Sequence, residues 1–465
     1  MEPQDGLPLP ARRYALAATA LGTLMSMMDV TIANVALPTI GRDLHATASE
    51  SIWIVNAYQF AMTIAIVPFA ALGDIAGYAR VYRVGLAVFT LASLACTFSH
   101  TLALLALARM AQGFGAAAMT STIGSLNRLA YPHAMLGRAA GQTATFVALG
   151  AAAGPVVGGA ILGVAAWPWL FAVNVPVGIV ALLLGARVLP RAPGTGHAFD
   201  WASAARCALI FGLLIAGIDG LGHGQGIALV AGELTLAIVL GTGFVRAQGR
   251  AKVPVFAVDL FRQPVFALSI VSSVTSFIAQ TIAYVALPFA FENVLGRTPF
   301  ETGLLMTPWL IAMAVIAPLA GRLSDRYNAG VLGGIGMVLL AAGLIGLAFM
   351  HRGTSTFAVA APMLVCGIGY GLFQSPNNRT ILASAPRNRN GAAQGILATA
   401  RLTGQTIGAA LVALVFAALA AGPGRARVPS GHEITVALGV AIAFAALAAV
   451  ASSLRRATPQ AELAR

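Results

Sequence analysis

Asp29 and Arg109 are the two side chains whose chemistry the rest of the chain has to accommodate. Asp29 stands in MMDVTIANVALP, residues 27 to 38, inside an apolar stretch from about Tyr14 to Leu37. That stretch is long enough to cross a bilayer as a helix. A carboxylate at such a depth costs roughly 3 kcal/mol on insertion scales, so it must face a partner or a watery cavity. Arg109, in LARMAQGFGAAA, sets the same problem with opposite sign, having an apolar run before it and small residues after it. Each supplies what the other needs. Such a pair can take up and release a proton, because the guanidinium lowers the carboxylate's proton affinity, desolvation raises it, and a change of exposure alters the balance. A static ion pair is the alternative reading.

Arg401 is a second cation within an apolar segment. It can bind an anionic substrate group, pair with carbonyls at a helix C-terminus, or snorkel to the membrane edge. Polar and aromatic residues spread over both halves of the chain are candidate substrate contacts: Asn34, Tyr58, Gln59, Gln112, Gln280, Tyr284, Tyr370, Phe373, Gln374, Arg401 and Gln405. An apolar pocket with few polar anchors suits amphipathic organic molecules. Each of these residues could instead serve packing between helices. In GAAAGPVVGG, residues 150 to 159, the glycines Gly150, Gly154, Gly158 and Gly159 allow close helix approach. Pro155 removes a backbone donor and makes the helix bendable.

The elements that must position these residues are membrane helices. The chain of 465 residues is 58% hydrophobic and 9% charged, with a mean hydropathy of +0.84. A soluble fold this apolar would have nothing with which to cover its surface. Windows of about twenty apolar residues give about fourteen candidate helices, starting near Tyr14, Ile52, Val81, Leu102, Ala139, Trp169, Trp201, Ile227, Phe266, Leu304, Val331, Phe357, Ile396 and Ile434. The N-terminal tail and every second loop hold most of the basic residues, among them Arg12, Arg13, Arg80, Arg83, Arg128, Arg187, Arg322, Arg326 and Arg379. By the positive-inside rule both termini are cytoplasmic, in an inner (plasma) membrane protein. The same asymmetry accounts for the net charge of +13. Dispersed over many turns, it suits anionic lipid headgroups rather than nucleic acid.

Pro190 to Asp200 and Arg246 to Gln263 are polar stretches that bracket an unusual helix pair. The expected organisation is a six-helix bundle over residues 1–189, two inserted helices and a linker over 190–263, and a second six-helix bundle over 264–465. An internal repeat supports it. Gly137, Gly141, Gly150 and Gly154 recur as Gly391, Gly395, Gly404 and Gly408, about 254 residues on, and Leu72-Gly73-Asp74 recurs as Leu323-Ser324-Asp325. Two related bundles around a central site are the usual plan of a secondary transporter.

The turn GRLSDR offers Gly321, Arg322, Asp325 and Arg326, where the acid can pair with a neighbouring arginine or helix N-terminus and latch one conformation. A solvated turn is the bland alternative. Here the sequence resembles the major facilitator superfamily, whose loop signature carries a Gly, an Asp-Arg pair and further basic residues in this position of each half. The first-half counterpart, ALGDIAGYARVYR from residue 71, keeps Asp74, Gly77 and Arg80 but has Ile75 where an arginine is expected. The surroundings of Arg109 are similar to the family's proton-transfer motif, and GAAAGPVVGG to its antiport motif. Asp29 with Thr31, Asn34 and Pro38, WPWLFAVNVP (167 to 176), SPNNR (375 to 379) and ARLTGQTIGAA (400 to 410) resemble the fourteen-helix drug/proton antiporter branch. The resemblance implies an all-α polytopic fold and proton-coupled export of small amphipathic compounds by alternating access, with the proton as coupling ion and no other cofactor.

Other chemistries find no support in the sequence. The single lysine, Lys252, lies in RAQGRAKV, which is no phosphate loop. Cys96, Cys207 and Cys366 lack metal or redox spacing, and the seven histidines form no catalytic set. Expected partners are a small-molecule substrate and the lipid bilayer, with the monomer as functional unit and accessory envelope proteins conceivable. The rival readings are an uptake symporter or uniporter for a nutrient, and a non-transporting membrane sensor or scaffold.

Overall fold

The structure is a computed structural model that describes residues 6–132, 135–190, 201–222, 225–248, 258–324, 326–385, 390–419, 429 and 431–455. It is all-helical among these. The helices are α1 (Leu9–Asp43), α2 (Ala48–Ser51), α3 (Trp53–Ala76), α4 (Tyr78–Thr97), α5 (Leu102–Ala130), α6 (Leu136–Val164), α7 (Trp169–Ala172), α8 (Asn174–Val188), α9 (Trp201–Gly222), α10 (Ile227–Gln248), α11 (Pro264–Phe289), α12 (Pro299–Leu323), α13 (Ala329–Ala348), α14 (Thr356–Ser384), α15 (Asn390–Leu419) and α16 (Gly431–Leu454). A π-helical turn, Ala290–Val294, continues α11.

Local sequence sets the helix ends. Thr47 with Glu50, and Thr298 with Glu301, form reciprocal capping boxes that satisfy orphan backbone donors. Thr101 and Ser355 each accept from the backbone N–H three residues on. Between α3 and α4 the chain turns at Gly77 with φ of 90°, a conformation that favours glycine. Pro68 lies inside α3, where the helix axis bends by 50°.

Among the described residues twelve helices are long and apolar enough to cross a membrane, and the span bent within α3, Ala48–Ile66 with Pro68–Ala76, makes thirteen. The remaining window of the fourteen expected coincides with α9, a helix of 22 residues whose described side chains include the apolar stretch Ala208–Ile218. The fold is that of a polytopic membrane protein. Its large outward-facing apolar side chains, such as Leu91, Leu107, Val164 and Phe357, suit a surface solvated by lipid.

The chain divides into two compact units: residues 1–46 with 53–212, and residues 47–52 with 213–465. In the first, α5 packs on α3 and α4, α1 on α6 and α8, and α4 on α8. In the second, α14 packs on α12 and α13, α11 on α15 and α16, and α13 on α16. The pairings correspond one for one. They match in atomic detail as well: a Cβ at Gly113 would strike the Tyr58 carbonyl, and one at Gly367 would strike the carbonyl of Trp309. Likewise, a Cβ at Gly404 would lie 2.7 Å from Val274 O, and one at Gly408 would lie 2.9 Å from Ile278 O, as Gly150 and Gly154 meet Leu24 and Met28 in the first unit.

At one end of the second unit, just past α16, Arg455 is buried against neutral groups alone among its described hydrogen-bond partners. Its Nη1 donates to Ser269 Oγ at 2.9 Å and to Asn377 Oδ1 at 2.6 Å, and its Nη2 to Ser452 Oγ. Asn377 in turn donates to Ser273 Oγ at 2.7 Å, and Ser452 to Gly330 O at 3.1 Å, so one guanidinium ties α11, α13, α14 and α16 together. Arg455→Met leaves buried acceptors unpartnered, each at a cost of about 1–3 kcal/mol. A lowered thermal unfolding temperature of the purified protein is the expected result.

Candidate functional site

Asp29 sits where α1 meets α5 and α8. Both it and Arg109 are 1% exposed, so each is held wholly by protein groups in this conformation. Arg109 Nη1 donates to Asp29 Oδ2, closing a buried ion pair, and also to Gln112 Oε1 at 2.6 Å. Its Nε donates to the Ile54 carbonyl at 3.0 Å. The guanidinium carbon lies 4.5 Å from the Tyr58 ring centre and 5.6 Å from that of Phe171, within cation–π range. Gln112 Nε2 donates to Asp29 Oδ1 at 2.8 Å and to Ser93 Oγ at 2.9 Å. Asn174 Nδ2 donates to the same Asp29 Oδ1 at 2.8 Å. Both carboxylate oxygens therefore accept hydrogen bonds, one from a cation and the other from two amides, which is the hydrogen-bond pattern of an ionised carboxylate.

Helix periodicity explains the assembly. Arg109 and Gln112 are three residues apart and so share a face of α5. Asn174 begins α8, directly after the short α7 and a bridging residue, with Pro176 two positions on. Tyr58 and Gln112, read from sequence as cavity residues, stand at this charged centre. Asn174 and Ser93 were not singled out by sequence reasoning. For Asn174 the signal was its place in WPWLFAVNVP, while Ser93 had none.

The glycine segment of α6 lies against α1 on both sides of Asp29 in the sequence. A Cβ at Gly150 would sit 2.9 Å from Leu24 O, and one at Gly154 would overlap Thr31 Oγ1 and lie 2.9 Å from Met28 O. Gly158 is looser, with Ile32 atoms 3.4 Å and more away. Pro155 lies within α6, and Gly159 is buried beside Gly158.

The second unit lacks a counterpart of the charged pair. Aligning the glycine contacts matches Thr31 with Thr281 and Gly113 with Gly367, which sets Ala279 opposite Asp29, Met363 opposite Arg109 and Cys366 opposite Gln112. All three are fully buried. Of the candidates in this unit, Tyr284 lies against Trp309 with ring centres 5.0 Å apart, and Tyr370 stands 6.1 Å from Phe277 and 6.4 Å from Phe373. Trp309, which sequence reasoning passed over, is completely buried. Gln280 is buried, whereas Gln374, Arg401 and Gln405 are half-buried. Asn34 and Gln59 are buried in the first unit.

In the loops, Asp74 accepts from the Tyr78 hydroxyl beside Gly77, and Arg80 is exposed. Gly321 lies beside Ser375, and Arg379 Nη1 donates to Ser324 Oγ at 3.0 Å, linking this turn to α14. Arg322 and Arg326 are exposed, and Asp325 lies outside the described residues. No group of His, Cys, Asp and Glu among the described residues is arranged to hold a metal ion.

Two structurally repeated helical units, with an acid–guanidinium pair buried in one of them, follow the plan of a membrane transporter. The chain belongs to the Major Facilitator Superfamily, whose pattern matches residues 19–409. It is a multi-pass transporter of small molecules within the bilayer and not an enzyme. It is 50% identical over 415 residues to YebQ, an uncharacterized transporter of Escherichia coli K12, covering 88% of this chain and 90% of that one. The riboflavin transporter RibZ of Clostridioides difficile is 31% identical, with 86% and 88% covered. The multidrug resistance protein Stp of Mycobacterium tuberculosis is 33% identical, with 87% and 75% covered.

Proposed function

We propose that this chain is a proton-coupled antiporter of the fourteen-helix drug/proton branch, exporting small amphipathic organic compounds across the inner membrane with both termini cytoplasmic. The observation that carries the reading is the buried Asp29–Arg109 pair, present in one unit and replaced by Ala279 and Met363 in the other. An apolar pair evidently suffices to build this helix packing, so the charges serve something besides architecture. A chemical cycle follows from the geometry. With Asp29 enclosed, proton exchange requires a conformation in which α1, α5 and α8 part enough to admit water. Proton and substrate then alternate at a charge-linked site as the access changes side.

Likeness to a multidrug resistance protein supports drug-like substrates, and the glycine-proline segment of α6 supports export. The similarity to a riboflavin transporter favours a second reading, movement of a planar vitamin. Reconstitution separates them. In proteoliposomes with an imposed pH gradient, counterflow of protons against a panel of toxic amphipathic compounds is the expected result. Riboflavin uptake with protons moving in the same direction would replace the antiport reading.

A further inference from the structure

We infer that Asn174 is a positioning residue whose side-chain amide reverses when Asp29 takes up a proton, acting as donor to the carboxylate and as acceptor from the acid. The inference rests on the proposed proton coupling at Asp29. Three observations lead to it. Asn174 is 1% exposed and donates through Nδ2 to Asp29 Oδ1 at 2.8 Å. Its own Oδ1 is buried with no hydrogen-bond partner among the described residues. A half rotation of the amide therefore exchanges the two atoms without breaking any bond made by Oδ1.

Gln112 cannot do the same. Its Oε1 accepts from Arg109 at 2.6 Å, and its Nε2 is shared between Asp29 Oδ1 and Ser93 Oγ. Reversal would set its N–H against a guanidinium and its carbonyl against a carboxylate. Of the two amides on Asp29, one is fixed at both ends and the other at one end only.

The proton balance is simple. A proton arriving from water joins Asp29 Oδ1, and the new O–H donates to the reversed Asn174 carbonyl. Oδ2 remains the acceptor for Arg109, so the buried pair of side chains need not separate when the acid becomes neutral. The guanidinium keeps the Ile54 carbonyl, Gln112 Oε1 and the faces of Tyr58 and Phe171. The titratable and charged groups near Asp29 are few. Arg109 comes from α5, Tyr58 from α3 and Cys96 from α4, while the described side chains of α6 and α7 bring no acid, base or cysteine and α8 brings only Arg187, exposed in its last turn and far along the helix from Asn174. A shift in proton binding on changing Asn174 is thus assignable to the amide.

The test is infrared titration of the full-length purified protein, following the carboxylic acid C=O band that Asp29→Asn removes. Asn174→Leu, of similar shape and without polar atoms, takes a charge-assisted bond from the ionised form and a weaker neutral one from the acid. The band's pH midpoint is expected to rise by about one unit, a tenfold change in proton affinity. Asn174→Ser, whose hydroxyl both donates and accepts, is expected to fall between the two and guards against misfolding of the leucine variant. Equal midpoints in all three proteins overturn the proposal, as does a serine variant that matches leucine. Because the titration needs no substrate and no vesicle, it can succeed where proton-driven efflux fails, and the reverse.

Discussion

Proteoliposomes carrying Asp29→Asn are expected to show proton-driven efflux reduced at least about tenfold, to the level of empty vesicles, with membrane insertion unchanged. The substitution preserves shape and removes the only acid within reach of Arg109 in the described site. It also leaves a guanidinium buried without a counter-charge, and breaking such a pair from one side costs about 3–5 kcal/mol. Four neutral contacts soften that cost: the Ile54 carbonyl, Gln112 Oε1 and the Tyr58 and Phe171 rings. The introduced amide can also turn its carbonyl toward Arg109 and its N–H groups toward Asn174. A protein that folds but cannot exchange a proton is the consequence. The second unit suggests the control. Asp29→Ala with Arg109→Met copies the apolar pair found at Ala279 and Met363, and the double variant is expected to unfold at least as hot as Asp29→Asn while transporting nothing. A pH-sensitive dye inside the vesicles reads efflux, and thermal unfolding of the purified protein reads stability. Normal proton-driven efflux by Asp29→Asn would remove this carboxylate from the mechanism.

How far the sequence alone reached depended on which interactions have a local signature. An acid and a base in apolar runs must each find a partner, so the meeting of Asp29 and Arg109 could be anticipated from the cost of leaving either alone. Glycine spacing in α6 likewise announces a close helix contact, although the sequence does not say with which helix. The second amide on Asp29 could not be seen in this way. Asn174 is 145 residues from Asp29 in the chain, and asparagine in an apolar segment is equally at home as a helix cap or a packing group. Tyr58 and Gln112 were legible as polar residues of a helix interior, and only the packing of α3 on α5 reveals that they serve the guanidinium. Trp309 was missed because a lone tryptophan within an apolar run carries no local sign of whether it packs inside the protein or faces lipid. Trp167 illustrates the same ambiguity, for it is buried against Phe171 while Trp169 is exposed.

Gly154→Val is the second substitution expected to have a large effect, and it acts on Asp29 from a distance. Even the Cβ of alanine at this position would overlap Thr31 Oγ1 and come within 2.9 Å of the Met28 carbonyl, so valine must push α1 away from α6. Overpacking of this kind costs about 1–3 kcal/mol. The displaced segment, Met28 to Thr31, contains Asp29, whose three hydrogen bonds come from α5 and α8 rather than α6. The shift that relieves the clash therefore disturbs the carboxylate's partners, and transport is expected to fall further than the amount of folded protein. Gly158→Ala is the matched control, because its Cβ would meet Ile32 at 3.4 Å, an ordinary contact. Near-normal transport and stability are expected there. The clash can also be relieved from the other side. Among the described residues Thr31 Oγ1 bonds only to the carbonyls of its own helix, Met27 and Met28, so Thr31→Ala is inexpensive and opens room for a small side chain at residue 154. Gly154→Ala combined with Thr31→Ala is expected to recover most of the transport lost by Gly154→Ala alone, a coupling that a double-mutant cycle measures directly. If the two substitutions simply add, the contact between α6 and α1 is not what makes this glycine necessary.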